Sequence, residues 1–416
     1  SRAGTSAAAH ADPGLQSTAA LADALVRGRS SETVGHAERL LREVHRDRNA
    51  AWTDESTTLA ALTLLLEDDV EALSRWCDEL PAGPNPPGGP VLKAVSAQFG
   101  AQIALQRGDL RAASDQAREA LALMSAKSWG VAIGFPLAAL ILAATRRGDF
   151  EEAARHIAHS VPEALSESHH GLYYLFARGH FQLATGHSHA ALADFLSCGE
   201  LTRGWGYEVT GLVPWRTGAA EAWLRLGNRD QAGKLVHEQL ARPGVEASRV
   251  RGPALRLLAE VGPAGRRLPL LAEALELVEA AGDRFELARV LRDLSRAYHA
   301  KGDKRRARLL FRHALHVAEF CGARPVTRDL MALPADVGGL ASPYEDRDEE
   351  IRALTDSERR VASLAVMGYT NREIAARLYI TGSTVEQHLT RVYRKLKVTR
   401  RKDLPADLWV AAGSAR

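Results

Sequence analysis

The chain is poor in the residues that would tie it to a secreted, metal-bound or catalytic class. Cys77, Cys198 and Cys321 are its only cysteines, far apart and odd in number, so no disulfide framework or zinc spacing is available and reduced cytoplasmic thiols are expected. No GxxxxGK[ST] occurs anywhere, which excludes a phosphate loop. There is no paired-carboxylate motif and no nucleophile with a recognisable base, so no catalytic residue is nominated and no enzyme is expected. Long apolar runs are missing too: the longest, Val131 to Ala144, is interrupted by Gly134 and Pro136 and is too short to span a bilayer. The first residues, SRAGTSAAAHADPG, have no basic segment leading into an apolar core, so no secretion signal is expected. These absences together predict a soluble, cytoplasmic chain with no membrane partner.

Nor does one sign of charge dominate, since the net charge is only +3. Its distribution is uneven. Residues 351–404 carry twelve Lys/Arg against five Asp/Glu, or +7, which leaves about −4 for everything else. Such a basic segment suits a polyanionic partner, and the acidic remainder does not.

What the chain has in abundance is helix signal. From about Leu21 to Leu333 it is rich in Ala, Leu, Arg and Glu, and it repeats. QRGDLRAASDQA at Gly108, RRGDFEEAARHI at Gly148, ATGHSHAALADF at Gly186, RLGNRDQAGKLV at Gly227 and AKGDKRRARLLF at Gly302 share one grammar. A helix ends at Gly, a polar residue usually follows, and Ala stands five residues after the Gly, at Ala113, Ala153, Ala191, Ala232 and Ala307. The period is about 40 residues, with Gly262 filling the one double gap and weaker copies near Gly28 and Glu67. Helix-turn-helix units at that spacing predict an all-α solenoid, resembling tetratricopeptide repeats but a few residues longer, with a concave surface for ligands or partners. Two interruptions stand out. PAGPNPPGGP, Pro81 to Pro90, reads as an exposed non-helical loop, and LPADVGGLASPYEDRDEE as a Pro/Gly linker ending in acid.

After the linker the grammar changes. Thr355 with Glu358, then Thr370 with Glu373, form two capping boxes, each starting a short helix. Leu354 is placed as a staple, Val361, Leu364 and Ala365 face inward on the first, and Gly368 can end it. Ile374, Ala375 and Leu378 face inward on the second. Tyr379 and Ile380 make a turn, and Thr381 can cap a third helix, TGSTVEQHLTRVYRKL. There Val385, Leu389, Val392 and Leu396 recur at helical spacing, while Ser383, Glu386, Gln387, Thr390, Arg391, Arg394 and Lys395 make a polar face. By periodicity alone that is a solvated amphipathic helix. Short helix, tight turn and polar-faced helix in succession predict a helix-turn-helix, whose second member enters the major groove.

The run from Leu354 to Leu396, L-T-x-x-E-x-x-V-A-x-L-A-x-x-G-x-T-N-x-E-I-A-x-x-L-x-I-T-x-x-T-V-E-x-H-L-x-R-V-Y-x-K-L, resembles the DNA-binding domain of the LuxR family of bacterial transcription regulators. The resemblance implies base contacts from Glu386, Gln387, Thr390 and Arg391. It implies phosphate contacts from Asn371, Ser383, Thr384, Arg394, Lys395 and Arg400, and a mainly structural His388. Double-stranded DNA with a pseudo-palindromic operator, bound by a homodimer, and a role as activator are what the family suggests. In that family the helix after the recognition helix mediates pairing. Here Pro405 stands where that helix should continue, so it is expected to start late, near Leu404, or to be short.

The stretches LVPWRTGAAEAWLRLGNRDQA and ELARVLRDLSRAYHAKGDKRRARLLFRHALHVAEFCGA also look like the C-terminal half of the large ATP-binding LuxR regulators of actinobacteria, most closely from about Gly211 onward. Those regulators carry a nucleotide-binding module ahead of the superhelix. Without a phosphate loop, no cofactor is expected in this chain, and ATP could enter only through a missing N-terminal module. Either such a module has been removed or the protein never had one, and the absence of an initiating Met favours the former.

The expected organisation is therefore a flexible N-terminus over 1–20, a tetratricopeptide-like solenoid over 21–333, a linker over 334–350 and a LuxR-type domain over 351–416. Nine of 24 aromatics fall between Leu165 and Trp223. Tyr173, Tyr174, Phe176, Trp205, Tyr207 and Trp215 are candidates for an effector or partner patch, and Phe181 stands among them. The alternative is that they fill the core between helices. His169, His170, His187 and His189 lack a carboxylate or Cys at ligand spacing and are expected to be solvated rather than to hold a metal.

Overall fold

The computed structural model describes residues 19, 31–46, 54–79, 89–206, 213–334, 354–366, 369–398, 400–401, 404 and 408. Expectations for most of the N-terminus, for Gly28, Tyr207, Gly211, residues 335–350, Gly368 and Pro405 fall outside them. No strand occurs among the described residues, as the all-α reading requires. Two compact units make up the chain, residues 1–286 with 321–323, and residues 287–320 with 324–416. The division falls inside the helical array.

In the first unit, helices α1 (Ser31–Arg46), α2 (Asp54–Leu66) and α3 (Val70–Glu79) lead into a series of antiparallel pairs. These are α4 (Gly89–Arg107) with α5 (Leu110–Leu123), α6 (Gly134–Arg147) with α7 (Phe150–Ile157), and α8 (His169–Ala184) with α9 (Ser188–Gly204). Next come α10 (Trp215–Arg225) with α11 (Arg229–Leu240), and α12 (Arg251–Val261) with α13 (Ala264–Ala280). The repeat grammar explains the pairing. Gly108, Gly148, Gly186, Gly227 and Gly302 all have positive φ, between 73° and 87°, the conformation that lets the chain reverse after the first helix of each pair. Asp109 and Asn228 then cap the second helix by accepting from Ala112 and Gln231. Ala113, Ala153, Ala191, Ala232 and Ala307 are each fully buried, where only a methyl fits between helices. Gly262 sits at its expected turn but is extended, with φ −79° and ψ 177°, and Pro263 follows as the N-cap. At the weaker copy by Glu67, Asp68 takes the positive φ.

Of the expected loop Pro81 to Pro90, only Gly89 and Pro90 lie among the described residues. Gly89 and Pro90 begin α4, because a proline in the first helical turn gives up an N–H that has no helical partner there. Gly134 and Pro136 likewise open α6, so the stretch Ala126–Arg147 is long and apolar enough to cross a membrane, with 78% of its apolar window buried inside the fold. The three cysteines are free and buried, and burial pushes each thiol up to about 12.

Close approach is concentrated around Phe195, which is fully buried. Gly179 and Gly218 flank it so tightly that a methyl on either would stand 2.8 or 2.6 Å from the ring. The same unit is tied over long sequence distances by Arg249. Its backbone N–H donates to Asp68 Oδ2 at 3.1 Å, and its guanidinium donates to Gln106 O at 2.5 Å and Ala281 O at 2.8 Å. Those bonds neutralise carbonyls at helix ends that have no helical partner.

The second unit opens with α14 (Arg284–Ala300) and α15 (Lys304–Cys321), whose first residues and last residue, respectively, belong to the first unit. Ser295 Oγ donates to Ala307 O at 2.8 Å between them, and Arg292 pairs with Asp329 of α16 (Arg324–Met331) at 2.7 Å. Its remaining helices among the described residues are α17 (Asp356–Val366), α18 (Asn371–Leu378) and α19 (Gly382–Lys395).

Candidate nucleic-acid interface

Both capping boxes form. Thr355 N–H donates to Glu358 Oε2 at 2.9 Å while Glu358 N–H donates to Thr355 Oγ1 at 3.3 Å, and Thr370 and Glu373 exchange the same bonds. These reciprocal bonds satisfy donors that a helix start leaves bare. Tyr379 ends α18 in the left-handed region at φ 53°, an uncommon conformation for a bulky residue, and its ring is 96% exposed. Thr381 caps α19 by accepting from Thr384 N–H.

The face of α19 carrying Val385, Leu389, Val392 and Leu396 is buried against Leu354, Val361, Ala362, Ala365 and Ile374. Leu364, Ala375 and Leu378 are only half-buried at the edge of that core. Leu404 and Leu408 also join it, four residues apart and on either side of Pro405 in sequence. Anchoring one face of α19 so completely fixes which residues face out. Glu386, Gln387, Thr390 and Arg391 are all exposed on the opposite side. The Thr390 hydroxyl donates to Glu386 O at 2.8 Å, which leaves its oxygen lone pairs available. Ser383, Arg394 and Arg400 are exposed, Thr384 is half-buried with its hydroxyl 2.8 Å from that of Thr381, and His388 is half-buried on the flank.

Two of the expected phosphate contacts are engaged inside the domain. Lys395 Nζ donates to Glu358 Oε2 at 2.6 Å, and the Glu358 side chain is only 4% exposed. Burial pushes that carboxyl up, yet hydrogen bonds from Lys395 and Thr355 outweigh it and hold the carboxyl below its ordinary range. The helical register thus turns Lys395 toward the start of α17. Asn371 accepts from Arg401 Nη1 at 2.8 Å. Arg401 itself escaped the sequence reading: it also donates to Ala365 O at 3.3 Å and to Tyr369 O. Nothing in the basic run TRRK marks one arginine as internal. Arg377 lies over the Tyr369 ring at 4.2 Å, bracing the same turn.

The candidate aromatic patch divides. Tyr174 and Trp215 are buried, Tyr174 donating to Ile157 O at 3.1 Å, and Arg216 lies 4.3 Å over the Trp215 ring. Tyr173, Phe176, Phe181 and Trp205 are half-buried. Tyr173 stands 4.5 Å from Phe135, and Phe176 5.7 Å from Phe195, within a ladder of rings that includes His169, His170 and His180. His169 and His170 are therefore packed, not solvated. Burial lowers the pKa of both, that of His169 to about 4. His187 and His189 are exposed as expected. Among the described residues no group of three or more His, Cys, Asp or Glu could hold a metal.

Residues 352–405 match the family described as bacterial regulatory proteins, luxR family. Relatives include the "Probable transcriptional regulatory protein SgaR" of Hyphomicrobium methylovorum, 40% identical over 68 residues, which are 15% of this chain and 32% of that protein. The "Probable transcriptional regulatory protein NarL" of Mycobacterium tuberculosis is 40% identical over 81 residues, 19% of this chain and 37% of that protein. The DNA-binding transcriptional activator DevR/DosR of the same species is 34% identical over 74 residues, 18% of this chain and 32% of that protein. The chain thus spans about a third of the length of these curated relatives. A solved structure of Rap protein complexed with competence and sporulation factor overlaps 92% of this chain and 99% of its own, at 13% identity and a TM-score of 0.39, a score too low to establish a shared fold.

Proposed function

With residues 352–405 belonging to the luxR family of bacterial regulatory proteins, we propose that the chain is a sequence-specific DNA-binding transcription regulator whose helical repeats sense an effector or protein partner. The observation that carries this reading is α19 itself. One face is buried, and the opposite one presents Glu386, Gln387, Thr390 and Arg391 to solvent. An amide and a guanidinium at adjacent helical positions suit bidentate bonds to adenine and guanine edges, and a carboxylate or hydroxyl suits a cytosine amino group or either partner. Ser383, Thr384, Arg394 and Arg400 surround them as phosphate contacts that set register, and the +7 charge of residues 351–404 supports attraction to the duplex.

The working unit is a homodimer on a pseudo-palindromic operator, acting as an activator in the cytoplasm. The linker lets the repeats control pairing of two DNA-binding domains, since Pro405 limits what a fourth helix supplies. Selection of bound duplexes from a random pool, with and without candidate metabolites, tests specificity, half-site spacing and effector dependence together. Two enriched half-sites in inverted order are expected, and failure to enrich any sequence would sink the reading. Sedimentation of residues 346–416 beside the full chain tests the pairing: a tight dimer of the fragment at micromolar concentration contradicts control by the repeats.

A further inference from the structure

The second unit holds a cleft of about 770 Å³ that the DNA-binding reading does not use. One wall is α15, where Arg305, Arg308 and Arg312 recur at i, i+3 and i+7 and are exposed on a single face. The other wall is the turn from α17 to α18, with Tyr369, Asn371 and Arg401. Leu309, Val366 and Leu404 supply apolar surface between them. Among the described residues, five arginines line the cleft against a single carboxylate, Asp303, which already caps α15 and lies 3.5 Å from Arg306. Burial first, and the positive charge of Arg305 after it, hold the Arg401 guanidinium below its ordinary value.

Arg305, Arg308 and Arg312, side by side on one wall of a cleft, repel one another, a cost that an anionic occupant removes. The volume is that of small-molecule sites and cannot admit a duplex, and no residue of α19 lines it. We propose that this cleft binds a small organic polyanion, one bearing two or more phosphate or carboxylate groups beside an apolar or aromatic moiety. The charged groups face Arg305, Arg308 and Arg312, which suit planar bidentate recognition, and the apolar moiety lies against Leu309, Val366 and Tyr369.

The test is calorimetric titration of the full chain, at low salt and without divalent metal, with inorganic triphosphate, adenosine 5′-triphosphate and adenosine. Saturable binding of both triphosphates at one per chain is expected, the nucleotide more tightly, with adenosine alone inert. Arg308→Glu and Arg312→Glu, both at exposed positions, should each weaken triphosphate binding by roughly tenfold while the circular dichroism spectrum stays unchanged. Arg391→Ala and Arg394→Ala should leave it intact. The assignment is overturned if neither triphosphate binds saturably, if the α15 variants bind as the parent does, or if the α19 variants lose binding instead. This last result would put the anion on the DNA-facing surface. Because binding is read directly, this outcome is independent of whether the chain regulates transcription.

Discussion

The repeat array and the terminal domain use the same helices to different ends, and their polar groups show it. In the array, polar side chains tie helices far apart in sequence, as Arg249 does with Asp68, Gln106 and Ala281. In the terminal domain the capping boxes bond within one turn, and the polar face of α19 is left to water. A region whose polar groups are consumed internally is specified by packing. A region whose polar groups face out is specified for a partner.

The largest effect that can break this comparison is in the array. Phe195→Ala should cost about 3–5 kcal/mol in chemical denaturation, because the ring fills the space between Gly179 and Gly218 and neither can collapse into it. Gly218→Ala acts from the other side, overfilling that space at a cost of about 1–3 kcal/mol. Urea titration of both variants checks the ordering.

In the terminal domain, Arg391→Ala or Gln387→Ala should change base preference at defined operator positions by about 1–3 kcal/mol without altering thermal stability. Arg394→Ala should instead weaken binding to all sequences evenly and lower the salt slope by about 1. Lys395→Ala provides the contrast. Its loss strands the buried Glu358 carboxylate, so stability falls by about 1–3 kcal/mol, whereas an unchanged melting curve with a flattened salt slope would return Lys395 to the phosphate surface.

The smallest effect is one of pH. The folded-state pKa of His169 is depressed to about 4 by burial, so the folded array favours the neutral ring. Its contribution is full above the unfolded value of 6.5 and is lost as pH falls toward 4. Glu358 and Glu373 are also depressed, but as carboxylates, Glu358 by its bonds to Lys395 and Thr355 against burial and Glu373 chiefly by its bond from the Thr370 backbone. Their contribution is full above the ordinary value of 4.5 and is lost only as pH falls through the lower folded value. Hydrogen exchange followed by peptide between pH 7 and 4 should therefore show protection around α8 declining before that around α17 and α18. His169→Gln should flatten the first decline, and a simultaneous loss in both regions would contradict the assignment.

Much of both regions was legible. The Gly and Ala grammar predicted the turns at Gly108 through Gly302, because positive φ and zero side-chain volume are properties that few residues offer. The capping boxes and the buried face of α19 were legible because they are local, spanning three to eleven residues. Three features were not legible for the opposite reason. Pro136 interrupts the apolar run in sequence, yet it stands in the first turn of α6, where proline does not break a helix. His169 and His170 looked solvated until Phe135 and Tyr173 packed against them. Lys395 looked like its neighbour Arg394 until the pitch of α19 turned it toward Glu358, 37 residues earlier.

By itself the amino-acid order determined the all-α class, the repeat turns, and the outward residues of the recognition helix. Each follows from backbone preferences and spacing within a few turns. Only the tertiary structure decided which cations remain exposed and which are engaged, that Arg401 braces the turn before α18, and that three arginines of α15 share a cleft with it. Those outcomes depend on which distant groups are brought within a few ångströms, where Coulomb attraction and desolvation become large enough to choose between water and protein.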